Sequence, residues 1–322
     1  MNFKKYKISK IKGDASFREF FRKNENKKNS IIIYSKKEKK KNLLDYDAIN
    51  KILDLNKIPS PKLIKHEYNH NFIEVQDLGK KTVLDTIKNK KDKIKIFKKI
   101  IKLLLRIQKI QNKKIKNFKN KYYRLPIYSR KILFKEANLF CDWYVPYNIS
   151  KKKKSYINRK LKIKINSLLS SLRQKNNTFV HRDFHVSNLM FKNKNLALID
   201  SQDAMIGNKA YDLASLIDDV RLKTSQQTKS EIYNFYLRCN KKEINVFKFK
   251  NDFEILSVLR NLKIIGIFTR LAVRDKKTNY LKLIPYTWKL IDLRCNNNNL
   301  LKDLKFFLDQ NFTKKIRNKY AN

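Results

Sequence analysis

The sequence has very few cysteines, and their spacing suits no cysteine chemistry. Its three cysteines, Cys141, Cys239 and Cys295, lie far apart and form no C-x-x-C pair. An odd number of widely spaced cysteines argues against a disulfide framework and against a dithiol motif. We therefore expect reduced thiols and a cytoplasmic protein.

Long apolar runs are also missing. The first residues, MNFKKYKISKIKGD, carry charges but no apolar segment of the kind found in signal peptides. The most apolar later stretch, Ile100 to Ile110, is interrupted by Lys and Arg, whereas a membrane-spanning helix needs an unbroken apolar run. We expect neither export nor a membrane partner.

Acidic residues are heavily outnumbered, with 28 Asp and Glu against 77 Lys and Arg and a formal net charge of +49. Such a charge is typical of proteins that bind nucleic acid, because clustered cations neutralise phosphates. Here, however, Lys is spread along almost every segment, and Arg-rich stretches interleaved with aromatic residues are absent. This pattern indicates compositional drift, so we expect no specific nucleic-acid partner. The expected partner is a small-molecule substrate, and the expected oligomeric state is a monomer.

No tract rich in Gly, Pro or Ser marks a linker, and 322 residues exceed the usual size of a single core, so two unequal lobes are expected. Apolar alternation in residues 3–35 predicts short antiparallel strands, and the spacing from Leu43 to Leu55 predicts a helix. Two more strands are predicted at residues 62–66 and 72–75. The turn-forming residues 77–79 then mark the predicted boundary between an amino-terminal lobe, 1–78, and a carboxy-terminal lobe, 79–322.

Beyond this boundary the apolar period becomes helical. Helices are predicted at residues 94–110, 132–144, 157–172, 230–239, 253–274 and 300–308. Between residues 178 and 200 the apolar runs are too short for helices and predict strands instead. The fold class is therefore α+β, with a small antiparallel sheet in the first lobe and a mostly helical second lobe.

The stretch from His181 to Asn188, HRDFHVSN, carries the clearest chemical signal, together with Asp200 at the end of a predicted strand. Transfer of a γ-phosphoryl group needs an oriented acceptor hydroxyl and Mg²⁺ held by hard oxygen ligands. Asp183 is suited to orient and deprotonate the hydroxyl, and Asn188 and Asp200 are suited to bind the metal. Each of these residues alone would be an ordinary loop residue, but their spacing matches the kinase pattern H-R-D-L-x-x-x-N with Phe replacing Leu.

The two histidines of this stretch also raise the alternative of a zinc site. His181 and His185 have no third soft ligand nearby, so zinc is not expected. His181 is better interpreted as a structural hydrogen-bonding residue.

Near the amino end, Gly13 and Ser16 stand where backbone N–H groups could cover phosphates. A plain hairpin explains them equally well, because no G-x-G-x-x-G or Walker sequence occurs.

Several sequence blocks together resemble the aminoglycoside phosphotransferase and choline kinase superfamily, and more narrowly the bacterial anomeric kinases of N-acetylmuramate and N-acetylglucosamine. They are Gly13 to Arg22, Gln76 to Gly79, Asn138 to Tyr144, His181 to Asn188, Leu198 to Ala204, Ala210 to Ser215 and Gly266 to Asp275. The resemblance implies a two-lobed protein-kinase-like fold that uses ATP and Mg²⁺. It also implies that Asp183 is the catalytic base and that Asn188 and Asp200 bind Mg²⁺.

The same resemblance implies that main-chain groups near Gln76 and Leu78 hold adenine and that Asp212 braces the catalytic loop. One departure concerns the strand at residues 31–34, which lacks the lysine that contacts the α- and β-phosphates in the kinase pattern V-A-I-K. Lys36 or Lys37 could substitute, with Asp47 as the partner on the following helix.

The expected reaction is phosphorylation of the anomeric hydroxyl of an N-acetylated amino sugar during cell-wall recycling. Polar groups for the sugar could come from Glu136, Trp143, Asp203, Arg270 and Arg274, although each could equally be structural. Kinases of aminoglycosides, choline or homoserine are alternatives, but a cationic aminoglycoside needs an acidic pocket that 28 acidic residues can less easily supply. A non-catalytic binding protein is the remaining alternative, and such a protein would be expected to lack at least one of Asp183, Asn188 and Asp200.

Overall fold

The computed structural model describes residues 7–11, 18–25, 28–88, 90, 93–193, 195–241 and 243–321. Its first feature is a five-stranded antiparallel sheet in the order β1-β2-β3-β5-β4. The strands are β1 Lys7–Ile11, β2 Glu19–Glu25, β3 Lys28–Tyr34, β4 Leu63–Glu67 and β5 Phe72–Gln76. Helix α1, Lys41–Leu55, packs Leu43 and Tyr46 against Ile33, Ile73 and Val75 of this sheet. Burial of alternate strand residues against one helix thus organises the amino-terminal part, as the sequence predicts.

Most of the remaining chain is helical, which confirms the predicted fold class. The helices are α2 Val83–Ile87, α3 Lys93–Gln108, α4 Arg130–Ala137, α5 Val145–Asn148, α6 Lys151–Ser170, α7 Ala210–Ile217, α8 Gln226–Cys239, α9 Val246–Asp275, α10 Ile284–Asn297, α11 Lys302–Asn311 and α12 Lys314–Arg317. Short strands are β6 Lys114–Lys116, β7 Tyr122–Arg124, β8 Asn176–Val180, β9 Leu189–Lys192, β10 Asn195–Leu198 and β11 Met205–Asn208. They form the pairs β6–β7, β9–β10 and β8–β11. Across the described residues, no helix combines the length and the apolar character needed to span a bilayer.

The contacts divide the chain into two compact units. The first contains residues 1–126 and 178–206, and the second contains residues 127–177 and 207–322. The first unit therefore includes the five-stranded sheet, α1, the stretch from His181 to Asn188, and Asp200. The predicted lobe boundary after Leu78 falls inside this unit, and it stays a prediction, because contact density alone does not define a lobe.

The predicted helix at residues 132–144 is present, but its second half is π-helical and not α-helical. Helix α4 ends at Ala137, and residues 140–144 form a π-helical turn. In the same unit, Gly266 of α9 passes so close to this turn that an added Cβ would lie 2.3 Å from the carbonyl carbon of Leu139. A wider turn at a tight helix crossing is a departure that apolar periodicity cannot reveal.

A buried ion cluster stabilises the second unit. The carboxylate of Asp218 accepts hydrogen bonds from Arg294 at 2.7 and 3.0 Å, from Lys229 at 3.1 Å and from Ser257 at 2.6 Å. Burial alone would raise the pKa of Asp218, but Arg294 and Lys229 outweigh it and hold the pKa well below the ordinary value of 3.8. The cluster joins α7, α8, α9 and α10 through one carboxylate.

Candidate active site

The stretch from His181 to Asn188 is tied by its first residue to the strand end that precedes Asp200. His181 is buried, and its Nε2 lies 3.0 Å from the backbone carbonyl of Ile199. A carbonyl oxygen only accepts hydrogen bonds, so Nε2 must carry the proton. The structural role of His181 stays a prediction, and this contact is the observation that supports it.

The far end of the loop folds back onto Asp183. The side-chain amide nitrogen of Asn188 donates to the backbone carbonyl of Asp183 at 3.0 Å, and the backbone N–H of Ile199 donates to the carbonyl of Asn188 at 3.0 Å. Because the amide nitrogen is used in this way, the amide oxygen is the atom of Asn188 left to act as a ligand. Asp183, Asn188 and the segment that ends at Asp200 are therefore brought together by hydrogen bonds.

Two residues of this region adopt left-handed backbone conformations. Arg182 has φ 76° and Asp200 has φ 61°. Such conformations cost about 1–3 kcal/mol each in non-glycine residues and persist where surrounding contacts hold them, often at functional sites. For Arg182 one such contact is the hydrogen bond from its guanidinium to the Asp203 carbonyl at 3.0 Å. The strain thus falls on the residue before Asp183 and on Asp200 itself.

The carboxylate of Asp200 has a cationic partner that the sequence analysis missed. The guanidinium of Arg18 donates to Asp200 at 2.8 Å, and the Arg18 side chain is 4% exposed while that of Asp200 is 38% exposed. Helix α1 approaches the same segment, because Ser201 donates to the side-chain oxygen of Asn50 at 2.7 Å. The available signal was the Arg itself, which stands in the block from Gly13 to Arg22 in a chain where Lys is the usual cation.

A second arginine of this block fixes the segment that follows β5. Arg22 contacts the carboxylate of Asp77 at 2.6 and 3.2 Å and the carbonyl of Gly79 at 2.7 Å. Asp77 also accepts from the Gly79 backbone N–H at 2.8 Å. The backbone of Gly79 has φ 115°, a region that favours glycine. Arg22 therefore contacts the first and the last residue of the turn predicted at residues 77–79.

Of the two predicted adenine-contacting residues, Gln76 directly precedes this turn and Leu78 lies within it. The backbone N–H of Gln76 donates to the backbone carbonyl of Lys62 at 2.8 Å, so this N–H is not available to a base. Leu78 forms an apolar cluster with Met190 and Ala197, against which Ile199 packs. A buried apolar cluster therefore lies at the turn and beside the strand that leads to Asp200.

The remaining nucleotide predictions have different outcomes. Gly13 and Ser16 lie outside the described residues. Lys36 and Lys37 are exposed in the turn between β3 and α1. The carboxylate of Asp47 instead contacts Lys51 at 3.0 Å and the backbone N–H of Phe118 at 2.7 Å. The structure thus gives neither lysine the buried position that Arg18 has.

Among the predicted sugar-contacting residues, Asp203 contacts the stretch from His181 to Asn188 through Arg182. It is exposed, its carbonyl is bound by Arg182, and its carboxylate accepts from the Gln202 side chain at 2.7 Å. The charge of the Asp203 carboxylate acts on two further groups, Asp45 and Tyr123. Burial raises the pKa of Asp45; Lys41 opposes this rise, and the Asp203 carboxylate adds to it. Burial and the carboxylates of Asp45 and Asp203 likewise raise the pKa of Tyr123.

The other four predicted sugar-contacting residues belong to the second unit. Glu136 of α4 pairs with Lys263 of α9 at 2.9 Å and accepts a hydrogen bond from Tyr128. Trp143 is half-buried in the π-helical turn. Arg270 is half-buried on α9, and Arg274, one turn later, forms two hydrogen bonds to Asp275 at 2.6 and 2.9 Å.

Asp212 also belongs to the second unit, on α7. Its side chain is fully buried. The role predicted for it, support of the catalytic loop, stays a prediction, as do the roles of the sugar-contacting residues.

Comparison with known proteins agrees with this geometry. A family model described as phosphotransferase enzyme family matches residues 7–235. The chain belongs to this family. A phosphotransferase of this family is an ATP-dependent enzyme, which confirms the predicted enzyme class.

Individual relatives of this phosphotransferase include an N-acetylmuramate/N-acetylglucosamine kinase from Neisseria meningitidis, 26% identical over 84% of this chain and 80% of the relative. A protein of the same name from Pseudomonas aeruginosa is 25% identical over 87% of this chain and 81% of the relative. Among solved structures, a choline kinase from Streptococcus pneumoniae matches with TM-score 0.62 at 14% identity, covering 88% of this chain and 92% of that chain. An ADP-bound aminoglycoside phosphotransferase matches with TM-score 0.60 at 13% identity over 88% and 92%. These structural matches show the protein-kinase-like fold.

Proposed function

We propose that this phosphotransferase transfers the γ-phosphate of ATP to the anomeric hydroxyl of N-acetylmuramate or N-acetylglucosamine, for recycling of cell-wall precursors. The sequence relatives carry this proposal, because they bear that name and match more than four fifths of the chain at 25–26% identity. The solved structures of choline and aminoglycoside kinases match at only 13–14% identity, so they support the fold and not a substrate.

Asp183 is the proposed general base. It follows the strained residue Arg182, and its backbone carbonyl accepts hydrogen bonds from the His185 N–H at 3.0 Å and from Asn188, which fix the loop around it. An acceptor hydroxyl beside its carboxylate would be oriented for attack and would lose its proton as the bond to phosphorus forms. An anomeric hydroxyl is more acidic than other sugar hydroxyls, so a carboxylate is a sufficient base.

The donor set at the loop fits Mg²⁺. Asn188 offers an amide oxygen because its amide nitrogen is bound to Asp183, and Asp200 offers a carboxylate that is 38% exposed. Magnesium prefers oxygen ligands and is usually held by one or two protein groups together with substrate phosphates. When bound, it would neutralise the charge that develops on the transferred phosphoryl group.

The deciding experiment is an acceptor panel. Purified protein is incubated with Mg-ATP and N-acetylglucosamine, N-acetylmuramate, glucose, choline or kanamycin, and ADP release is followed. We expect the N-acetylated sugars to exceed glucose in kcat/KM by about 100-fold or more, because a site that hydrogen-bonds a substrate group rejects analogues lacking it. Reduction of the sugar to its alditol should abolish activity.

The position of the phosphate provides an independent check. The ³¹P NMR spectrum of the product should show a phosphate coupled to the anomeric proton. Phosphate on carbon 6, or higher efficiency with choline or kanamycin than with either amino sugar, would overturn the substrate while leaving the phosphotransferase activity standing.

A further inference from the structure

The guanidinium of Arg18 is buried although arginine is usually exposed, and the proposed reaction gives it no role. Its side chain is 4% exposed and lies 2.8 Å from a carboxylate that is itself 38% exposed. Burying a guanidinium costs free energy unless an anion compensates it. The compensating anion here is Asp200, the group that Mg²⁺ would also engage.

The strand that carries the phosphate-binding lysine in the kinase pattern ends here without a buried lysine. Residues 31–34 of β3 are Ile, Ile, Ile and Tyr, and Lys36 and Lys37 beyond it are exposed. Lys23 of the neighbouring strand β2 is directed to Glu74 at 3.4 Å. Of these cations, Arg18 alone is both buried and in contact with a proposed metal ligand.

We propose that Arg18 replaces the missing lysine and binds the α- and β-phosphates of the nucleotide directly. This inference rests on the proposed function only in its requirement for a nucleotide. The guanidinium has five N–H donors in a rigid fork, so it can keep one hydrogen bond to Asp200 and direct others to phosphate oxygens.

Charge balance gives the same result. In the structure, Arg18 and Asp200 form a neutral pair. A divalent cation at Asp200 would repel the guanidinium unless further negative charge entered with it, and phosphate oxygens supply that charge. Nucleotide and metal are therefore expected to bind together, with Arg18 between them.

The test is equilibrium binding of ADP and of adenosine, measured by calorimetry without any sugar, to wild type and to Arg18→Gln. Measurements are made with Mg²⁺ and again in EDTA. A hydrogen bond to a charged group is worth about 1.5–3 kcal/mol, so ADP affinity should fall about 10- to 100-fold in both conditions. Adenosine affinity should change less than about twofold, because adenosine has no phosphate to lose.

Lys10→Gln is the matched control. It removes one positive charge from the adjacent strand β1, where Lys10 is 64% exposed and pairs with Glu19 at 2.7 Å. The control should bind ADP like wild type, since an exposed, screened charge has little effect on a buried contact. Loss of ADP affinity in the control as large as in Arg18→Gln would show a general field effect and overturn the assignment.

Other outcomes also decide against the proposal. If Arg18 only restrains Asp200, Arg18→Gln should bind ADP as tightly as wild type or more tightly. If Arg18 acts only by orienting Asp200 for the metal, the loss should vanish in EDTA. If the loss is equal for adenosine, the site has been disrupted rather than a phosphate contact removed.

Arg18→Lys covers the case in which the Gln variant does not fold. Lysine keeps the charge and is the residue that binds these phosphates in the kinase pattern, so ADP affinity should stay within about tenfold of wild type, with adenosine unaffected. A loss of adenosine affinity as large as the loss of ADP affinity in Arg18→Lys would overturn the assignment. Failure of wild type to bind ADP would contradict the proposed function itself, whereas normal ADP binding by Arg18→Gln would refute only this inference.

Discussion

Substitution of Gly266 by alanine tests how the second unit positions its predicted sugar-contacting residues. A Cβ at this position would lie 2.3 Å from the carbonyl carbon of Leu139, 2.4 Å from the carbonyl oxygen of Leu139 and 2.6 Å from the nitrogen of Phe140. Non-bonded carbon atoms normally stand about 3.5–4.0 Å apart. All three atoms are backbone atoms, so no side-chain rotation can relieve the overlap, and α9 must move away from the π-helical turn.

Two effects of opposite sign decide the magnitude. Alanine is a better helix former than glycine by about 1 kcal/mol. Overpacking of a close contact costs about 1–3 kcal/mol and occasionally more. Here the turn also carries Phe140, which is fully buried against Tyr144, Trp288 and Phe312, so the turn cannot yield without disturbing an aromatic cluster. We therefore place the overpacking cost at the upper end of this range and, after the gain in helix propensity, expect Gly266→Ala to lower the free energy of unfolding by about 2 kcal/mol.

Urea denaturation measures this change, with Val273→Ala as the control. Val273 is on the same helix and is 39% exposed, so its replacement by alanine should leave stability within about 0.5 kcal/mol of wild type. Gly266→Ala as stable as wild type would refute the close approach of the two backbones.

Kinetics separate stability from substrate recognition. Trp143 lies in the π-helical turn and Arg270 lies one turn beyond Gly266, so separation of the two elements should raise the KM for the sugar. The affinity for ADP should stay unchanged. A destabilised variant with an unchanged KM for the sugar would contradict the predicted roles of Trp143 and Arg270.

Three further substitutions test the loop and the buried ion cluster. Asp183→Asn should lower kcat by about 100-fold or more while ADP binding is retained, and near wild-type turnover would contradict its role as base. Asp200→Ala should abolish the dependence of ADP binding on Mg²⁺, as measured by metal titration, because Asn188 alone is a neutral ligand. Asp218→Asn should cost about 3–5 kcal/mol in urea denaturation, because it leaves Arg294 buried without its anion. Because folding lowers the pKa of Asp218, the stabilisation by its carboxylate is complete above the ordinary value of 3.8 and is lost as the pH falls through the folded pKa. Wild type should therefore lose more stability than Asp218→Asn on acidification below about pH 4. Equal losses in the two proteins would refute the argument.

The catalytic loop could be predicted from the sequence because its chemistry is local. Asp183 and Asn188 are five residues apart and are joined in the structure by a single hydrogen bond. Asp200 follows a short apolar strand whose length the sequence shows directly. The five-stranded sheet and α1 are likewise encoded by local alternation and by helical spacing.

Other features depend on contacts that are distant in sequence. Apolar spacing predicts the helical backbone of residues 132–144, but it does not predict the change from α-helix to π-helix after Ala137, where Gly266 of the distant helix α9 lies against the turn. Helix α10 is absent from the sequence-based prediction, and in the structure Pro285 stands in its first turn, where proline is well tolerated. Arg18 could not be singled out among 77 cations without its burial.

Arginine nevertheless carries information in a chain of this composition. Lysine serves as the general surface cation here, and an exposed lysine pair such as Lys10 with Glu19 contributes little to stability. Arg22 and Arg294 each bind a buried carboxylate through two nitrogen atoms, a geometry that lysine cannot reproduce. Arg274 makes the same bidentate contact with Asp275 on an exposed helix end, so geometry alone does not mark a constrained position. Replacement of arginine by lysine should therefore be tolerated where the arginine is exposed. It should be harmful where the arginine is buried and binds its partner through two nitrogen atoms. This is the physical reason to look for function at Arg18 before any of the surrounding lysines.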